Sequence, residues 1–363
     1  MERIYQYWLL RNQDMTNAKK AKLMEYFYDS YGIFNATKKD LLNSHLLEEH
    51  TIDAFIEHRK KFDLNKEYED FLHSPFSFVT LEDDNYPEKL RMIFDKPYGL
   101  YYVGKLPDFS KTVSIVGARR CSAYGKRMAM EIGEKLGENE FTVISGMARG
   151  IDAYGHRGCI DGGGSTIAVL GCGCDVIYPR ENRLLYEEIL ATGGAVISEF
   201  QMGTEPIAMY FPMRNRIVSA LSDAVVVVEA REKSGSLITA DLALDQGKDI
   251  YVTPGRIGDS LSTGCNKLIS QGAGVIYNTD AFVKELLEYY GETTITKSKR
   301  KEKIKLTEEQ KKVYKLFDDY PKSIATVLEE SRMDYLQLLS VVLSLERHGL
   351  LAEVFKNNYV ITV

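Results

Sequence analysis

Cysteine is rare in this sequence of 363 residues, and its five occurrences make an odd number. They stand at positions 121, 159, 172, 174 and 265. Cys172 and Cys174 form a C-x-C pair, but no histidine and no second pair stands near them, which speaks against a zinc site. Thiols without a disulfide framework are typical of reduced proteins inside cells. We therefore expect a cytoplasmic protein that holds no metal.

Long hydrophobic runs are also missing from the sequence. No stretch approaches the roughly 18 apolar residues that a membrane-spanning helix needs. Residues 1–10 are aromatic and interrupted by charge, unlike a secretory signal peptide. These features predict a soluble protein that has no membrane partner.

An excess of positive charge is absent as well, because the formal net charge is −6. With 44% hydrophobic and 27% charged residues, the composition is ordinary for a globular protein. A nucleic-acid site would therefore have to be a local concentration of arginine and lysine. The length predicts two or three domains, at about 150 residues each.

The pattern of apolar residues divides the chain into four parts. Helical periodicity predicts an all-α domain over residues 1–75, while residues 306–363 show three helices and an alternating terminal strand, which resembles a winged helix. Residues 76–292 form an α/β domain, whose first two strands are expected to pack on the edge of its sheet. Residues 293–305 read as a basic linker.

Short apolar runs recur through the α/β domain, and glycine follows nearly every one of them. They predict strands at Val113–Val116, Thr142–Ile144, Thr166–Leu170, Ala195–Ile197, Ala224–Val228, Asp249–Val252 and Val275–Tyr277. Runs that are apolar on both faces are typical of parallel strands covered by helices on both sides. Such sheets bind ligands at the carboxyl ends of their strands.

The strand Val113–Val116 ends on Gly117, and apolar residues then recur at helical spacing up to Gly137, which is expected to end the helix. A helix N-terminus offers unpaired N–H groups and the positive end of the helix dipole. The intervening turn therefore suits an anion such as phosphate. Arg119 and Arg120 within that turn strengthen this expectation.

Residues that follow the other strands add cations and glycines to the same edge of the predicted sheet. The candidates for contact with an anionic ligand are Gly117, Arg119, Gly146, Arg149, Phe211, Arg214, Arg216, Lys233, Ser234, Gly235 and Ser236. A single arginine is more often a surface ion-pair partner, but their joint placement favours a ligand with several phosphates. Cationic turns combined with an aromatic ring are typical of sites for single-stranded DNA or RNA.

Three motifs that would indicate other chemistry are absent. A dinucleotide site needs G-x-G-x-x-G and an acidic end of the second strand, but Arg119 takes the middle glycine's place and that strand ends in Ser145-Gly146. Neither a P-loop nor a G-x-S-x-G turn occurs. Asp152 and His156 stand at helical spacing, which suits a structural hydrogen-bonded pair. We predict no catalytic residue and no cofactor.

Seven stretches in this order resemble the DNA processing protein A family (DprA, also called Smf). They are Val116–Arg120, Ile144–Asp152, Ile167–Gly171 continuing to Asp175–Pro179, Phe211–Ile217, Val228–Ala240, Val252–Gly255 and Gly264–Ile269. The resemblance implies a Rossmann-like domain that binds single-stranded DNA without catalysis. It further implies a homodimer that protects incoming DNA and helps to load RecA during natural transformation.

The resemblance also implies roles for single residues. Those that would contact phosphates are Arg119, Arg214 and Arg216. Those that would line the same edge are Lys233 and Ser234–Ser236. Phe211 would stack on a base, Asn215 and Glu229 would hold loops in place, and residues 261–277 would form the self-association surface.

Phosphoribohydrolase-type proteins share this kind of fold and supply the alternative, an enzyme that binds or cleaves a nucleoside monophosphate. Their motif P-G-G-x-G-T-x-x-E compares with Ser234–Leu242, where Leu242 falls at the position of the catalytic glutamate. The cleavage chemistry thus lacks its acid, and a binding protein is the preferred interpretation. In the N-terminal domain, Asn12–Lys22 contains no glycine of a helix-hairpin-helix turn, which speaks against DNA binding there.

Overall fold

The structure is a computed structural model, and it describes residues 2–12, 15–291 and 306–361. The basic linker predicted at 293–305 lies outside the described residues. The described chain forms a helical N-terminal part, a central α/β part and a C-terminal part of helices and short strands.

The N-terminal part is built from helices that pack around aromatic side chains. They are α1 (Glu2–Arg11), α2 (Asn17–Phe27), α3 (Ser30–Asn35), α4 (Lys38–Asn43), α5 (Glu49–Lys61) and α6 (Leu64–Leu72). Thr16 and Thr37 cap α2 and α4 by accepting a hydrogen bond from a backbone N–H of the first turn. Trp8 is fully buried, with its ring 4.9 Å from Phe34 and 5.3 Å from Phe55. This aromatic core also contacts the sheet of the central part through Phe78.

A nine-stranded sheet forms the centre of the molecule, in the order β1-β2-β6-β5-β4-β3-β7-β8-β9. Its strands are β1 (Ser77–Thr80), β2 (Gly99–Gly104), β3 (Thr112–Val116), β4 (Thr142–Ser145), β5 (Thr166–Val169), β6 (Ala195–Ser198), β7 (Ala224–Val227), β8 (Asp249–Val252) and β9 (Gly274–Val275). The β1–β2 and β2–β6 pairs are antiparallel. All other neighbouring pairs, along the run β6-β5-β4-β3-β7-β8-β9, are parallel. This confirms the predicted α/β class and the placement of the first two strands at the edge.

Helices cover both faces of the sheet. They are α7 (Glu88–Arg91), α8 (Ala123–Glu138), α9 (Ile151–Asp161), α10 (Arg183–Ala191), α11 (Tyr210–Ala220), α12 (Gly235–Asp245), α13 (Thr263–Ser270) and α14 (Thr279–Tyr289), with a short 3₁₀ turn at Arg180–Asn182. Ile167 and Val169 of β5 belong to the core on the face that α11 covers, whereas Ala168 between them belongs to the core on the face that α9 and α10 cover. This alternation explains why the central strands are apolar on both faces.

Glycines let α8 and α9 approach each other closely. The helix α8 continues through Gly137 to Glu138, so the prediction that Gly137 ends this helix is wrong. A Cβ atom at Gly137 would lie 2.4 Å from the carbonyl oxygen of Cys159 in α9, and one at Gly133 would lie 2.5 Å from that of Gly155. These glycines therefore serve helix packing.

The C-terminal part combines three helices with a three-stranded antiparallel sheet. Its elements are α15 (Glu308–Tyr314), β10 (Lys322–Ser323), α16 (Ile324–Ser331), α17 (Tyr335–Arg347), β11 (Leu351–Phe355) and β12 (Asn358–Ile361), with the strand order β10-β12-β11. Val313, Leu338 and Val342 from the helices share one core with Tyr359 of β12. The predicted terminal strand is present up to Ile361, and residues 362–363 lie outside the described residues.

Candidate functional site

The topology of the sheet creates a cavity beside its central strand. The parallel strands run outward from β3 through β4, β5 and β6 on one side, and through β7, β8 and β9 on the other. Loops that follow β3 and β7 therefore diverge, and such a switch point is where open α/β sheets bind ligands. A cavity of about 770 Å³ lies there, which we call the switch-point cavity. Its walls include Val116–Arg120, Gly146, Ala148, Asp152, Tyr178, Phe211, Arg214, Asn215, Arg231 and Lys233–Ser236.

The turn after β3 is held by a buried carboxylate. Glu229, directly after β7, is only 2% exposed and accepts hydrogen bonds from the backbone N–H of Ser122, at 2.9 Å, and from its hydroxyl, at 2.5 Å. Ser122 in turn caps α8 by accepting from the N–H of Gly125 at 3.1 Å. Burial raises the pKa of Glu229, and the hydrogen bonds from Ser122 oppose that shift. The predicted role of Glu229 as a loop anchor is thus confirmed.

A glycine with unusual backbone geometry brings a second loop under this turn. Gly150 adopts φ of 75°, and a Cβ atom there would lie 2.3 Å from the carbonyl oxygen of Ala118. The next residue, Ile151, donates its backbone N–H to the same carbonyl oxygen at 3.2 Å. The β3–α8 and β4–α9 loops are therefore held together at Ala118, next to the backbone of Arg119 and Arg120.

One wall of the cavity is aromatic. The guanidinium carbon of Arg119 lies 5.5 Å from the ring centroid of Phe211, within range of a cation–π contact. The ring of Tyr178 lies 5.5 Å from the same ring at an interplanar angle of 36°. Arg119, the predicted phosphate contact, and Phe211, the predicted base contact, thus lie together, and Tyr178 adds a second ring that was not predicted.

Arg214 forms the floor of the cavity and is only 4% exposed. It donates to the carbonyl oxygen of Val169 at the end of β5, while its Nε has no hydrogen-bond partner within the described part of the chain. A Cβ atom at Gly146 would lie 2.2 Å from Arg214 Nη1, so only glycine leaves room for the guanidinium. Burial lowers the pKa of Arg214 to about 10, partly opposed by the nearby carboxylate of Asp152.

Asp152 balances this buried cation. It is 7% exposed and accepts hydrogen bonds from the backbone N–H groups of Gly146, at 3.2 Å, and Ala148, at 3.4 Å. Burial raises the pKa of Asp152, and the charge of Arg214 works against that shift. Asp152 is the one acidic residue among the described residues that line the cavity, against five arginines and lysines: Arg119, Arg120, Arg214, Arg231 and Lys233.

The N-terminus of α12 supplies the opposite wall. Ser234 caps this helix by accepting a weak hydrogen bond from the N–H of Ser236 at 3.4 Å, and the two hydroxyls lie 2.7 Å apart. Gly235 has open space around its Cα, so the backbone at this helix start is accessible. Lys233 precedes the cap and is exposed. A helix start flanked by a lysine is a favourable place for a phosphate.

All but two of the predicted binding residues line the cavity, and Arg216 is the first exception. Its guanidinium is 7% exposed and binds the carboxylate of Glu199 through two N–H groups, at 2.9 and 2.6 Å. It also donates to Asp95 at 3.1 Å. The expected phosphate contact of Arg216 is therefore corrected to a structural ion pair, since Arg216 lies two residues after Arg214 in α11 and its side chain leaves the helix on a different side, towards Glu199 and Asp95.

Arg149 is the second exception. Its side chain is 58% exposed and pairs with Glu181, which belongs to the 3₁₀ turn before α10. The neighbouring residues Gly146 and Ala148 line the cavity, but the side chain of Arg149 points to Glu181 at its outside. The position of Arg149 shortly after the end of a strand therefore did not predict the direction of its side chain.

Arg231 is a lining residue that the sequence analysis missed. It stands two residues after Glu229, so the rule that ligands lie at the carboxyl ends of strands would have found it. Leu261 and Thr239 also line the cavity. They come from a loop after β8 and from inside α12, and their sequence neighbourhoods carry no comparable signal.

His156 does not pair with Asp152, so that prediction is wrong. Its Nδ1 lies 2.6 Å from the hydroxyl oxygen of Thr166 on β5, and the residue is fully buried. Burial and the nearby charge of Arg214 lower the pKa of His156 to about 3. This histidine is therefore neutral at physiological pH.

Three further observations concern the described residues only. All five cysteines lie among them as free thiols. Groups of three or more histidines, cysteines and acidic residues that could hold a metal ion do not occur among them. No helix in this part of the chain has the length and apolar character needed to span a bilayer.

The fold and the site define a class of protein, in which a mostly parallel α/β sheet presents a cationic, aromatic-walled cavity at its switch point. The family model of DNA recombination-mediator protein A matches residues 77–287, which are more than half of the chain. The chain belongs to this family. The match begins at β1 and ends within α14, so it covers the whole central sheet.

Curated relatives carry the same sheet region. DNA processing protein DprA of Streptococcus pneumoniae is 41% identical over 215 residues, which are 59% of this chain and 73% of that protein. Protein Smf of Synechocystis is 41% identical over 214 residues, which are 58% of this chain and 54% of that protein. The match therefore spans about half the length of the Synechocystis relative.

Solved structures agree with this assignment. The X-ray structure of DprA from Streptococcus pneumoniae aligns with a TM-score of 0.67 at 33% identity, covering 78% of this chain and 97% of that chain. DprA from Helicobacter pylori aligns with a TM-score of 0.54 at 32% identity, covering 60% of this chain and 98% of that chain. The structural work on the Helicobacter protein concerns its mode of binding single-stranded DNA.

Proposed function

We propose that this chain binds single-stranded DNA in the switch-point cavity and acts in DNA processing during transformation and recombination. The observation that carries this proposal is the composition of the cavity, where five basic residues and an aromatic wall face one buried carboxylate. A volume of about 770 Å³ accommodates more than one nucleotide unit of an extended strand. Backbone phosphates and stacked bases are the features of single-stranded DNA that such a surface recognises.

Each part of the cavity has a role in this proposal. Arg119 and Lys233 contact phosphates from the two loops, since both side chains are accessible. Arg214 adds positive charge at the floor, and Phe211 supplies a face for a base. Gly235, which has open space where a Cβ atom would lie, lets the nucleic acid approach the backbone of the Ser234–Ser236 segment. Gly117 and Gly146 instead make room for the side chains of Ile151 and Arg214.

In this proposal the switch-point cavity binds DNA and does not catalyse a reaction. Asp152 accepts two backbone N–H groups and is 7% exposed, which suits a structural counter-charge better than a general acid. Leu242 lies in α12 at the position where phosphoribohydrolase-type enzymes carry their glutamate. These two features support a binding protein over a nucleoside-monophosphate-cleaving enzyme.

The experiment is a salt titration of labelled oligothymidylate binding, followed by fluorescence anisotropy and compared with a duplex. We expect Arg119→Ala to weaken single-strand binding about tenfold and to reduce the salt slope by about one unit, because one phosphate contact is lost. Arg183→Ala is the matched control, since Arg183 is an exposed arginine on α10 paired with Glu187. Equal affinity and slope for the two variants would refute the assignment of the cavity.

We further propose a homodimer that hands its DNA to RecA, with a winged-helix module at the C-terminus. Residues 261–277 are the proposed self-association surface. The edge strand β9 supports it, because Val275 in this strand and Tyr277 two residues later are 39% and 83% exposed. Light scattering at micromolar protein should report twice the monomer mass, and Tyr277→Asp should reduce it. A monomer for the unmodified chain would refute the dimer.

A further inference from the structure

A second cavity lies between the central α/β part and the C-terminal part. Its volume is about 670 Å³, and we call it the junction cleft. The residues that line it are Cys121–Tyr124, Pro254–Arg256, Asp259, Ser262, Asp319–Pro321, Val354 and Val360. Both parts of the chain thus contribute to its walls.

Specific contacts hold the two sides of the cleft in place. Arg127 of α8 donates to Asp319 at 2.6 Å, and both side chains are largely buried. The guanidinium carbon of Arg256 lies 3.8 Å from the ring centroid of Tyr320, which is stacking distance. Tyr124 donates its hydroxyl to the carbonyl oxygen of Pro254 at 3.0 Å, which fixes the floor. The cleft is therefore a built feature of the domain contact.

The junction cleft and the switch-point cavity share their dividing wall. In the turn after β3, Gly117–Arg120 line the switch-point cavity, while Cys121–Tyr124 line the cleft. In the loop after β8, Leu261 faces the switch-point cavity, and its neighbour Ser262 faces the cleft. A strand that passes over Arg120 would therefore move directly from one cavity to the other.

The chemistry of the cleft suits a base rather than a phosphate. Tyr124, Tyr320 and Pro321 give it flat apolar surfaces, and Arg256 is an exposed guanidinium already stacked on a ring. Bases stack on aromatic rings and on guanidinium planes. Asp259 brings negative charge to the walls, which repels phosphate but accepts hydrogen bonds from base N–H groups, whereas the charge of Asp319 is balanced by Arg127.

We propose that the junction cleft binds a base of the same DNA strand, stacked against Arg256 and Tyr320, so that the C-terminal part extends the single-strand site. This inference rests on the proposed function of the switch-point cavity. It assigns the C-terminal part a direct contact with single-stranded DNA, and it predicts a footprint that is longer than the switch-point cavity alone would give.

Length-dependent binding tests the cleft in the full chain. Oligothymidylates of about 4 to about 12 nucleotides are titrated by anisotropy with wild-type protein and with Tyr320→Ala. We expect the shortest oligomers to bind both proteins equally and the longest to bind Tyr320→Ala about tenfold more weakly, because one stacked base is lost. Tyr320→Phe keeps the ring and should behave as wild type.

The controls separate this inference from the proposed function. Tyr335→Ala removes a tyrosine of the same part, 48% exposed and outside the lining of the cleft, and should change no affinity. Arg119→Ala should weaken every length, and its failure would refute the switch-point cavity and not the cleft. Arg256→Gln repeats the test from the α/β side if Tyr320→Ala disturbs folding. Equal binding of long oligomers by Tyr320→Ala and wild type, or equal loss at every length, would refute the base site.

Discussion

The arginines of this protein differ in environment more than in sequence position. Arg119 lies on an accessible turn, Arg214 is buried with its Nε unpaired in the described chain, and Arg216 is buried in an ion pair with Glu199. Arg214 and Arg216 are separated by one residue of α11, and a helix turns their side chains in very different directions. The same residue type therefore lines the cavity at one position and forms a buried ion pair two positions later.

Arg216→Gln tests this distinction. The change leaves the carboxylate of Glu199 buried without its main cation, so we expect the free energy of unfolding to fall by about 3 kcal/mol in urea denaturation. The affinity of the folded variant for oligothymidylate should stay within about twofold of wild type, because no phosphate contact is removed. The stability of Arg216→Lys should lie between those of wild type and Arg216→Gln, since lysine keeps the positive charge but cannot bind the carboxylate through two N–H groups in the way arginine does.

A different pattern would contradict the structural role of Arg216. If the folded Arg216→Gln variant lost as much DNA affinity as Arg119→Ala, its guanidinium would have to leave Glu199 and reach the DNA. The stability measurement must therefore accompany the binding measurement. Binding is measured without urea, under conditions in which the variant is fully folded.

At the level of elements, the strands could be predicted because their signal is local. Runs such as Val225–Val228 are apolar on both faces, and only burial between two helix layers explains them. Because ligands bind at the carboxyl ends of parallel strands, residues from separate loops could be assigned to one site. Arg119 from the loop after β3 and Lys233 from the loop after β7 both line the cavity. Sequence and chain topology together were sufficient for this much of the site.

Helix packing and side-chain direction could not be predicted in the same way. Gly137 has the residue type of a helix end, but its role depends on the carbonyl of Cys159 in another helix. Arg149 follows a strand as Arg119 does, yet its side chain pairs with Glu181, which lies 32 residues further along the chain. Such outcomes depend on contacts between segments far apart in sequence.

At the scale of the whole molecule, the helical N-terminal part and the C-terminal part both contact the central α/β part, the first near α11 and the second at α8. Asn17 of α2 donates to Glu199 at 3.1 Å, and Glu199 is the partner of Arg216 in α11, the helix that carries Phe211. Arg127 of α8 binds Asp319 on the opposite side. The N-terminal and C-terminal parts are therefore joined to the central part at residues close to those that line the two cavities.

Global stability should depend on pH through His156 in the centre of this assembly. Burial lowers its pKa to about 3 from an ordinary value of 6.5, so between these values the unfolded chain binds a proton that the folded chain does not. Stability therefore rises with pH across this window and is lost as the pH falls, by about 1.4 kcal/mol per pH unit for one group.

Urea denaturation followed by circular dichroism measures this dependence in wild type and His156→Gln. Between about pH 7.5 and about pH 5, wild type should lose about 2 kcal/mol more than the variant, because only wild type carries the titrating imidazole. His156→Gln starts less stable, since it changes a buried partner of Thr166, and the gap between the two proteins should narrow on acidification. A constant gap between wild type and His156→Gln would contradict the lowered pKa of His156.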